Sequence, residues 1–202
     1  MTSCRDNIDR FVFASSSACY GNVETLPTVE GSGDNPTSPY GLQKLVIEQF
    51  GKLYSDLYGL EFAALRFFNA YGPGQDGTSP YSTAISAWCT RLHKGEALRS
   101  DGDGLQTRDY TYVKDVVEAN MLAMNSNNKE IFAEIFNVGT GTNHSVLDLV
   151  NIIEGDHVHL PPRLGEARDT LANNKKLVYT LGWQPKETID SWISKYKMEN
   201  NI

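Results

Sequence analysis

Ser38-Pro-Tyr-Gly-Leu-Gln-Lys-Leu-Val-Ile-Glu-Gln-Phe-Gly-Lys-Leu-Tyr-Ser-Asp-Leu-Tyr-Gly59 reads as one helix. Ser38 is suited to cap its N-terminus, and Pro39 fits the first helical position, where no N–H is needed. Leu42, Val46, Phe50 and Leu53 continue at helical spacing, and Gly59 supplies the usual stop. On either side lies a short apolar run, Arg10 to Ser15 before it and Glu61 to Phe68 after it. Each has the length and flanks of a buried strand. Strand, helix, strand in this order predicts an α/β fold with a parallel sheet. Ser145–Ile153, Lys175–Leu181, Val113–Met124 and Tyr81–His93 read as further helices, residues 4–9 as the last turns of a helix, Ile135–Val138 and Tyr110–Tyr112 as strands, and 95–105 as turns.

The 202 residues suffice for one large or two small domains. A net charge of −7 argues against a nucleic-acid partner. An anionic ligand would then need a local basic pocket. No run approaches the roughly 20 apolar residues of a membrane helix, and the N-terminus has no secretory core, so no membrane partner is expected. Three widely spaced cysteines (Cys4, Cys19, Cys89) fit reduced thiols and a cytoplasmic location. His93, His144, His157 and His159 lack metal-ligand spacing, so no metal is expected. Trp88, Trp183 and Trp192 read as packing residues.

In open α/β sheets ligands bind beyond the carboxyl ends of the strands. Ser15-Ser16-Ser17, Asn69 and Gly139 stand at those ends. Tyr40 and Lys44, four residues apart, share a helix face. An ammonium beside a phenol favours the phenolate, and a serine hydroxyl can hold the oxygen between which a proton moves.

Tyr-x-x-x-Lys alone is a weak signal, but it stands about 20 residues after Phe13-Ala-Ser-Ser-Ser-Ala-Cys-Tyr-Gly21. Further along come Leu65-Arg-Phe-Phe-Asn-Ala-Tyr-Gly-Pro-Gly-Gln75, Asp101-Gly-Asp-Gly-Leu-Gln-Thr-Arg-Asp-Tyr-Thr-Tyr-Val-Lys-Asp115, Phe136-Asn-Val-Gly-Thr-Gly141, Pro161-Pro-Arg-Leu-Gly-Glu-Ala-Arg-Asp169 and Leu181-Gly-Trp-Gln-Pro185. In that order these motifs resemble the extended short-chain dehydrogenase/reductase family of nucleotide-sugar epimerases and dehydratases, over nearly the whole chain. The resemblance implies the C-terminal part of a doubly wound Rossmann-type parallel sheet plus a smaller α/β substrate-binding domain. Residues 1–75, with strand 135–139 returning, would be the remnant of the NAD domain, and 76–202 mainly the nucleotide-sugar domain. It implies Tyr40 as base and Lys44 as its partner, both touching NAD, with Ser16 as the catalytic hydroxyl. Ser17, Asn69, Arg108, Arg163 and Thr170 would contact a nucleotide-diphosphate sugar, and Tyr81 could touch the nucleotide.

Dehydratases of that family carry an Asp-Glu pair after the catalytic hydroxyl, where this chain has Ser17 and Ala18. That favours NAD-dependent 4-epimerisation of a UDP-hexose or UDP-N-acetylhexosamine through a 4-keto sugar. Dehydratase or dehydrogenase chemistry, and a cofactor-free binding or interaction protein, are the alternatives. Thr170, small where some relatives carry a large aromatic, leans toward N-acetylhexosamines. A homodimer is also implied.

A dinucleotide fold needs a glycine-rich strand-to-helix turn. The literal GxGxxG, Gly72 to Gly77, has the wrong setting, because Pro73 interrupts it and no helix opens on it. The resemblance places the family's turn before residue 1, on the order of a hundred residues upstream. We therefore expect a truncated or split enzyme, inactive as this chain alone, with an apolar sheet edge open to pairing.

Overall fold

Helix α1 covers Pro39–Tyr58, capped by the Ser38 hydroxyl accepting from Gly41 N and ended by Gly59 in the left-handed region at φ 69°. In the computed structural model, which describes residues 7–78, 83–162 and 167–201, α1 joins β1 (Arg10–Ser16) to β2 (Glu61–Phe67). The two strands pair in parallel, Arg10 opposite Glu61 through Ser16 opposite Phe67. This is the βαβ unit expected from the sequence.

Later in the chain, β3 is Ala70–Tyr71, α2 Ala84–His93, β4 Leu98–Asp101, β5 Thr107–Asp109, β6 Thr111–Tyr112 and α3 Val113–Asn125. They are followed by β7 (Glu134–Val138), β8 (Asn143–Ser145), α4 (Val146–Ile153), β9 (His157–Leu160), α5 (Lys175–Leu181) and α6 (Ile189–Asn200). β7 joins β2 in parallel, giving a sheet ordered β1-β2-β7. Among the described residues β1 pairs with β2 only. β2, in the middle, has Phe62 to Leu65 almost fully buried. Each such Leu or Phe contributes about 1.5–3 kcal/mol by leaving water.

Two main cores result. Leu65, Val116, Ala119, Phe136, Leu177 and Trp183 pack α3 and α5 on the sheet. Tyr71, Trp88, Leu98, Leu149, Ile153 and Ile189 join α2, β4, α4 and α6. Trp88 and Trp183 are packed as expected, and each indole N–H has a carbonyl partner: Arg99 O at 2.6 Å and Asp115 O at 2.8 Å.

Several elements differ from the sequence reading. Residues 7–9 are turn and bend rather than helix. The helix expected from Tyr81 begins at Ala84 in the described residues. Residues 98–101 form a strand within the stretch read as turns, paired in parallel with 157–160. Tyr110 separates two short strands that pair with different partners, β8 and β3. Helix α6 was not anticipated, although Ile189, Trp192, Ile193 and Tyr196 recur at helical spacing. Among the described residues no helix is long and apolar enough to cross a membrane, and no group of three or more His, Cys, Asp or Glu is placed to hold a metal.

Candidate active site

The carboxyl ends of β1 and β2, the start of α1 and the β4–β5 segment enclose a cavity of about 1400 Å³. Ser16, Ser17, Tyr40, Asn69, Arg108 and Thr170 all line it. Lys44 does not. Arg163, and with it Tyr81, lies outside the described residues.

Ser16 ends β1 and caps the short 3-10 turn Ser17–Cys19, its Oγ accepting from Ala18 N at 3.2 Å. A hydroxyl that accepts in this way keeps its proton for a substrate oxygen. Tyr40, one helical residue past Pro39, is 54% exposed toward the cavity. Lys44 stands one turn along α1; its Nζ donates to Ala14 O at 2.7 Å and lies 5.0 Å from the Phe13 ring and 5.6 Å from the Tyr40 ring. The lysine thus bridges the tyrosine to the strand carrying Ser16. Gly41 lets α1 come this close: a Cβ there would sit 2.4 Å from Ala18 O.

Asn69 donates to Asp109 O and to Thr170 Oγ1, both at 3.3 Å. Thr170 Oγ1 also accepts from Asp109 N at 3.3 Å. Thr170 is therefore wired to β5 as well as lining the cavity. Arg108 donates from Nη1 to Thr107 O at 2.9 Å and Arg168 O at 3.0 Å, which holds one edge of its guanidinium beside the cavity.

Asp109, the residue after Arg108, organises this wall. It is fully buried, and its carboxylate accepts from Thr140 N and Oγ1 at 2.8 Å each and from Gly141 N and Ala172 N at 3.0 Å each. Burial pushes its pKa up, against the hydrogen bonds that stabilise the charge. Sequence reasoning missed this role; the position of Asp109 inside the 101–115 motif was the available signal. Arg91, Lys94 and Arg99 line the cavity along with Arg108, as do the acidic Asp101 and Glu96, the latter paired with Arg91 at 3.0 Å. That excess of cations is the local basic pocket that a −7 chain needs for an anionic ligand.

A row of buried polar residues underlies the site. Ser15, Arg66 and Asn137 are register partners across β1, β2 and β7, each at most 2% exposed. Arg66 donates from Nε to Glu48 Oε1 at 2.9 Å, from Nη2 to Glu48 Oε2 at 2.5 Å and from Nη1 to Asp34 Oδ1 at 2.7 Å. Its guanidinium stacks 4.3 Å over the Tyr20 ring, and Tyr20 donates to Asn137 Oδ1 at 2.7 Å. Ser15 Oγ donates to Glu48 Oε1 as well. Burial raises the Tyr20 pKa beyond its ordinary range.

The glycine run 72–77 does not form a phosphate cradle. It follows β3, its Asp76 carboxylate accepts from Thr78 N and Oγ1, and α2 opens only at Ala84. A cradle needs the helix N-terminus to follow the turn directly. Among the described residues, Tyr40 and Lys44 lie near the carboxyl end of β1, the side of an open α/β sheet on which ligands bind.

The chain is 41% identical over 204 residues to a putative UDP-glucose 4-epimerase of Methanocaldococcus jannaschii, covering 96% of this chain and 65% of that protein. It is 34% identical to the UDP-glucose 4-epimerase of Mycolicibacterium smegmatis, covering 90% of this chain and 59% of that one. The chain thus spans about three fifths to two thirds of the length of these relatives. A solved UDP-glucose 4-epimerase from Thermotoga maritima with UDP-glucose superposes with a TM-score of 0.87 at 33% identity, over 97% of this chain and 65% of that one. A UDP-N-acetylglucosamine 4-epimerase from Methanobrevibacter ruminantium, in complex with UDP-N-acetylmuramic acid, gives 0.87 at 31%, over 98% and 66%. The sequence profile described as the NAD dependent epimerase/dehydratase family matches residues 1–139, and the chain belongs to that family.

Proposed function

We propose that this chain carries the proton-transfer and sugar-nucleotide-binding part of an NAD-dependent nucleotide-sugar 4-epimerase. The observation that carries this reading is the single cavity into which Ser16 and Tyr40 open from one wall and Arg108 and Arg99 from another. A UDP-hexose or UDP-N-acetylhexosamine has a diphosphate for the arginines, whose planar forks suit it. Its sugar would then lie toward the strand ends.

When bound, NAD supplies the acceptor and donor for the hydride at sugar C4. The chain's residues manage the proton. Tyr40 takes it from the C4 hydroxyl and returns it, Ser16 donates to the same oxygen, and Lys44 holds positive charge beside the phenol. Tyr40 and Lys44 would also hold the nicotinamide end of the cofactor. Ser17 and Ala18 offer no carboxylate for water elimination, which supports epimerisation over 4,6-dehydration. Asn69 and Thr170 would contact the sugar, and Thr170 leaves room for an N-acetyl group. Residues 1–75 with β7 form the catalytic part of this reading and 76–202 mainly the sugar-nucleotide part. A cytoplasmic location belongs to it too. Leu42, Val46, Phe50, Leu53 and Leu57 form an exposed apolar stripe on α1, and we assign it to a second copy of the chain, testable by light scattering.

The deciding experiment incubates the purified chain with NAD and UDP-glucose, UDP-galactose, UDP-GlcNAc or UDP-GalNAc, and follows interconversion by NMR. Turnover of any C4 pair supports the reading. Absence of both turnover and saturable UDP-sugar binding sinks it. Binding without turnover leaves only the sugar-nucleotide part and matches the expectation that the chain alone is inactive.

A further inference from the structure

Glu48 is a carboxylate only 3% exposed, and it lies outside the cavity lining. It falls four residues after Lys44 and eight after Tyr40, on the same side of α1. Its two oxygens receive Arg66 in a two-pronged pair, at 2.9 and 2.5 Å, and one of them also receives Ser15. Ser15 is the residue before Ser16, and Arg66 is its register partner on β2. Lys44 ties α1 to β1 one turn higher, at Ala14 O. The helix is thus fastened to the sheet at two successive levels below Tyr40.

Apolar packing is non-directional. The contacts of Leu45 and the close seat of Gly51 over Phe62 hold α1 against the sheet but constrain sliding along its axis weakly. A forked guanidinium–carboxylate pair has a fixed direction. Resting on the reaction reading above only for which groups react, we propose that Glu48 and Arg66 are positioning residues, whose pair holds α1 in the axial register that sets Tyr40 and Lys44 against Ser16. Asp34 and Tyr20 clamp the other faces of the guanidinium, so Arg66 itself cannot swing away. A purely structural pair would be replaceable by apolar residues of similar volume with no change at the site, because buried ion pairs are often dispensable for stability.

The test compares the parent chain with Glu48→Met/Arg66→Met and with Ser15→Ala, by crystal structure, by urea unfolding, and by turnover with NAD and UDP-glucose. The double variant is expected to unfold near the parent's denaturant midpoint, yet to show Tyr40 and Lys44 displaced from Ser16 by about 1 Å and the Lys44–Ala14 bond lost. A misplacement of that size can cost about a hundredfold in kcat, with KM little changed. A stably folded double variant with all three side chains in their parental places overturns the proposal. Should the double variant not fold, Ser15→Ala decides. It keeps the ion pair and cuts one of the two links from α1 to β1, the other being Lys44 to Ala14 O, so Tyr40 and Ser16 are expected to part, and an unchanged Tyr40–Ser16 spacing overturns the proposal. If the parent itself shows no turnover, as expected of this chain alone, the crystallographic arm judges the positioning claim, and the reaction reading fails only if UDP-sugar binding is absent as well.

Discussion

Lys44 donates from Nζ to the carbonyl oxygen of Ala14 at 2.7 Å, so the helix that carries Tyr40 is bonded to the strand that ends in Ser16. Two segments about 30 residues apart in sequence thereby share one rigid corner of the cavity. The chemistry proposed for that corner depends on Tyr40 delivering and removing a proton. Replacing Tyr40 by Phe keeps the ring and deletes the hydroxyl. It should lower turnover by about a hundredfold to ten-thousandfold, the usual weight of a positioned acid–base group. UDP-sugar binding, measured by calorimetry, should persist.

The approach of α1 to the Ser16 turn has no slack. A Cβ at Gly41 would meet Ala18 O, a backbone atom, at 2.4 Å. Gly41→Ala should therefore push the helix outward and destabilise the fold by about 1–3 kcal/mol, as overpacking does. Chemical denaturation measures the loss, and the turnover assay should fall with it. No loss of stability would mean that the helix and turn separate more easily than their contacts imply.

Breaking the buried pair on one side differs from removing both partners. Glu48→Gln leaves the Arg66 charge, 1% exposed, facing an amide. Removal of one partner of a buried pair costs about 3–5 kcal/mol. The unfolding midpoint should drop accordingly, and more than in Glu48→Met/Arg66→Met.

Thr170 lines the cavity but also accepts from Asn69 and Asp109. Thr170→Tyr should weaken binding of UDP-GalNAc relative to UDP-galactose by about tenfold or more, on the scale of steric discrimination in pockets. Thr170→Val, which loses the hydrogen bonds without adding bulk, is the control. Equal losses for both sugars in Thr170→Tyr would remove the N-acetyl argument.

Helix α4 carries a reciprocal cap, with Ser145 Oγ accepting from Asp148 N and Asp148 Oδ2 from Ser145 N. The Ser145 side chain and then its backbone N–H, both hydrogen-bonded to the carboxylate, hold the Asp148 carboxyl below its ordinary value near 4. A depressed folded-state value gives stability that is present above the unfolded value and lost as pH falls through the folded one. Asp148→Asn should lower stability at neutral pH, where that contribution is present, and flatten the acid limb of the profile below about pH 4, so that variant and parent converge at the acid end. Unfolding midpoints from pH 2 to 7 check this.

How much was legible follows from the range of each interaction. Ser145–Ile153 and Lys175–Leu181 were readable because a cap, a 3.6-residue period and a terminal glycine are local properties. β4 and β9 were not. Leu98-Arg-Ser-Asp101 and His157-Val-His-Leu160 are short and polar, and each is a strand only because the other lies beside it. The burial of Asp109 and Glu48 has no local signature, because their partners come from Thr140, Gly141 and Ala172 for the one and from β1 and β2 for the other.

The sequence by itself determined the βαβ unit and put Tyr40 and Lys44 on one helix face, since strand ends and i, i+4 spacing follow from backbone geometry; grouping them with Ser16 came from the resemblance carried by the ordered motifs. It also supplied the glycine at 41 that permits close approach. Tertiary structure alone decided that Arg108, Arg99 and Thr170 share a cavity with Ser16 and Tyr40, and that Lys44 reaches Ala14. It alone placed Ser15, Arg66 and Asn137 in one buried row, because strand register is fixed by long-range pairing and no local pattern encodes it.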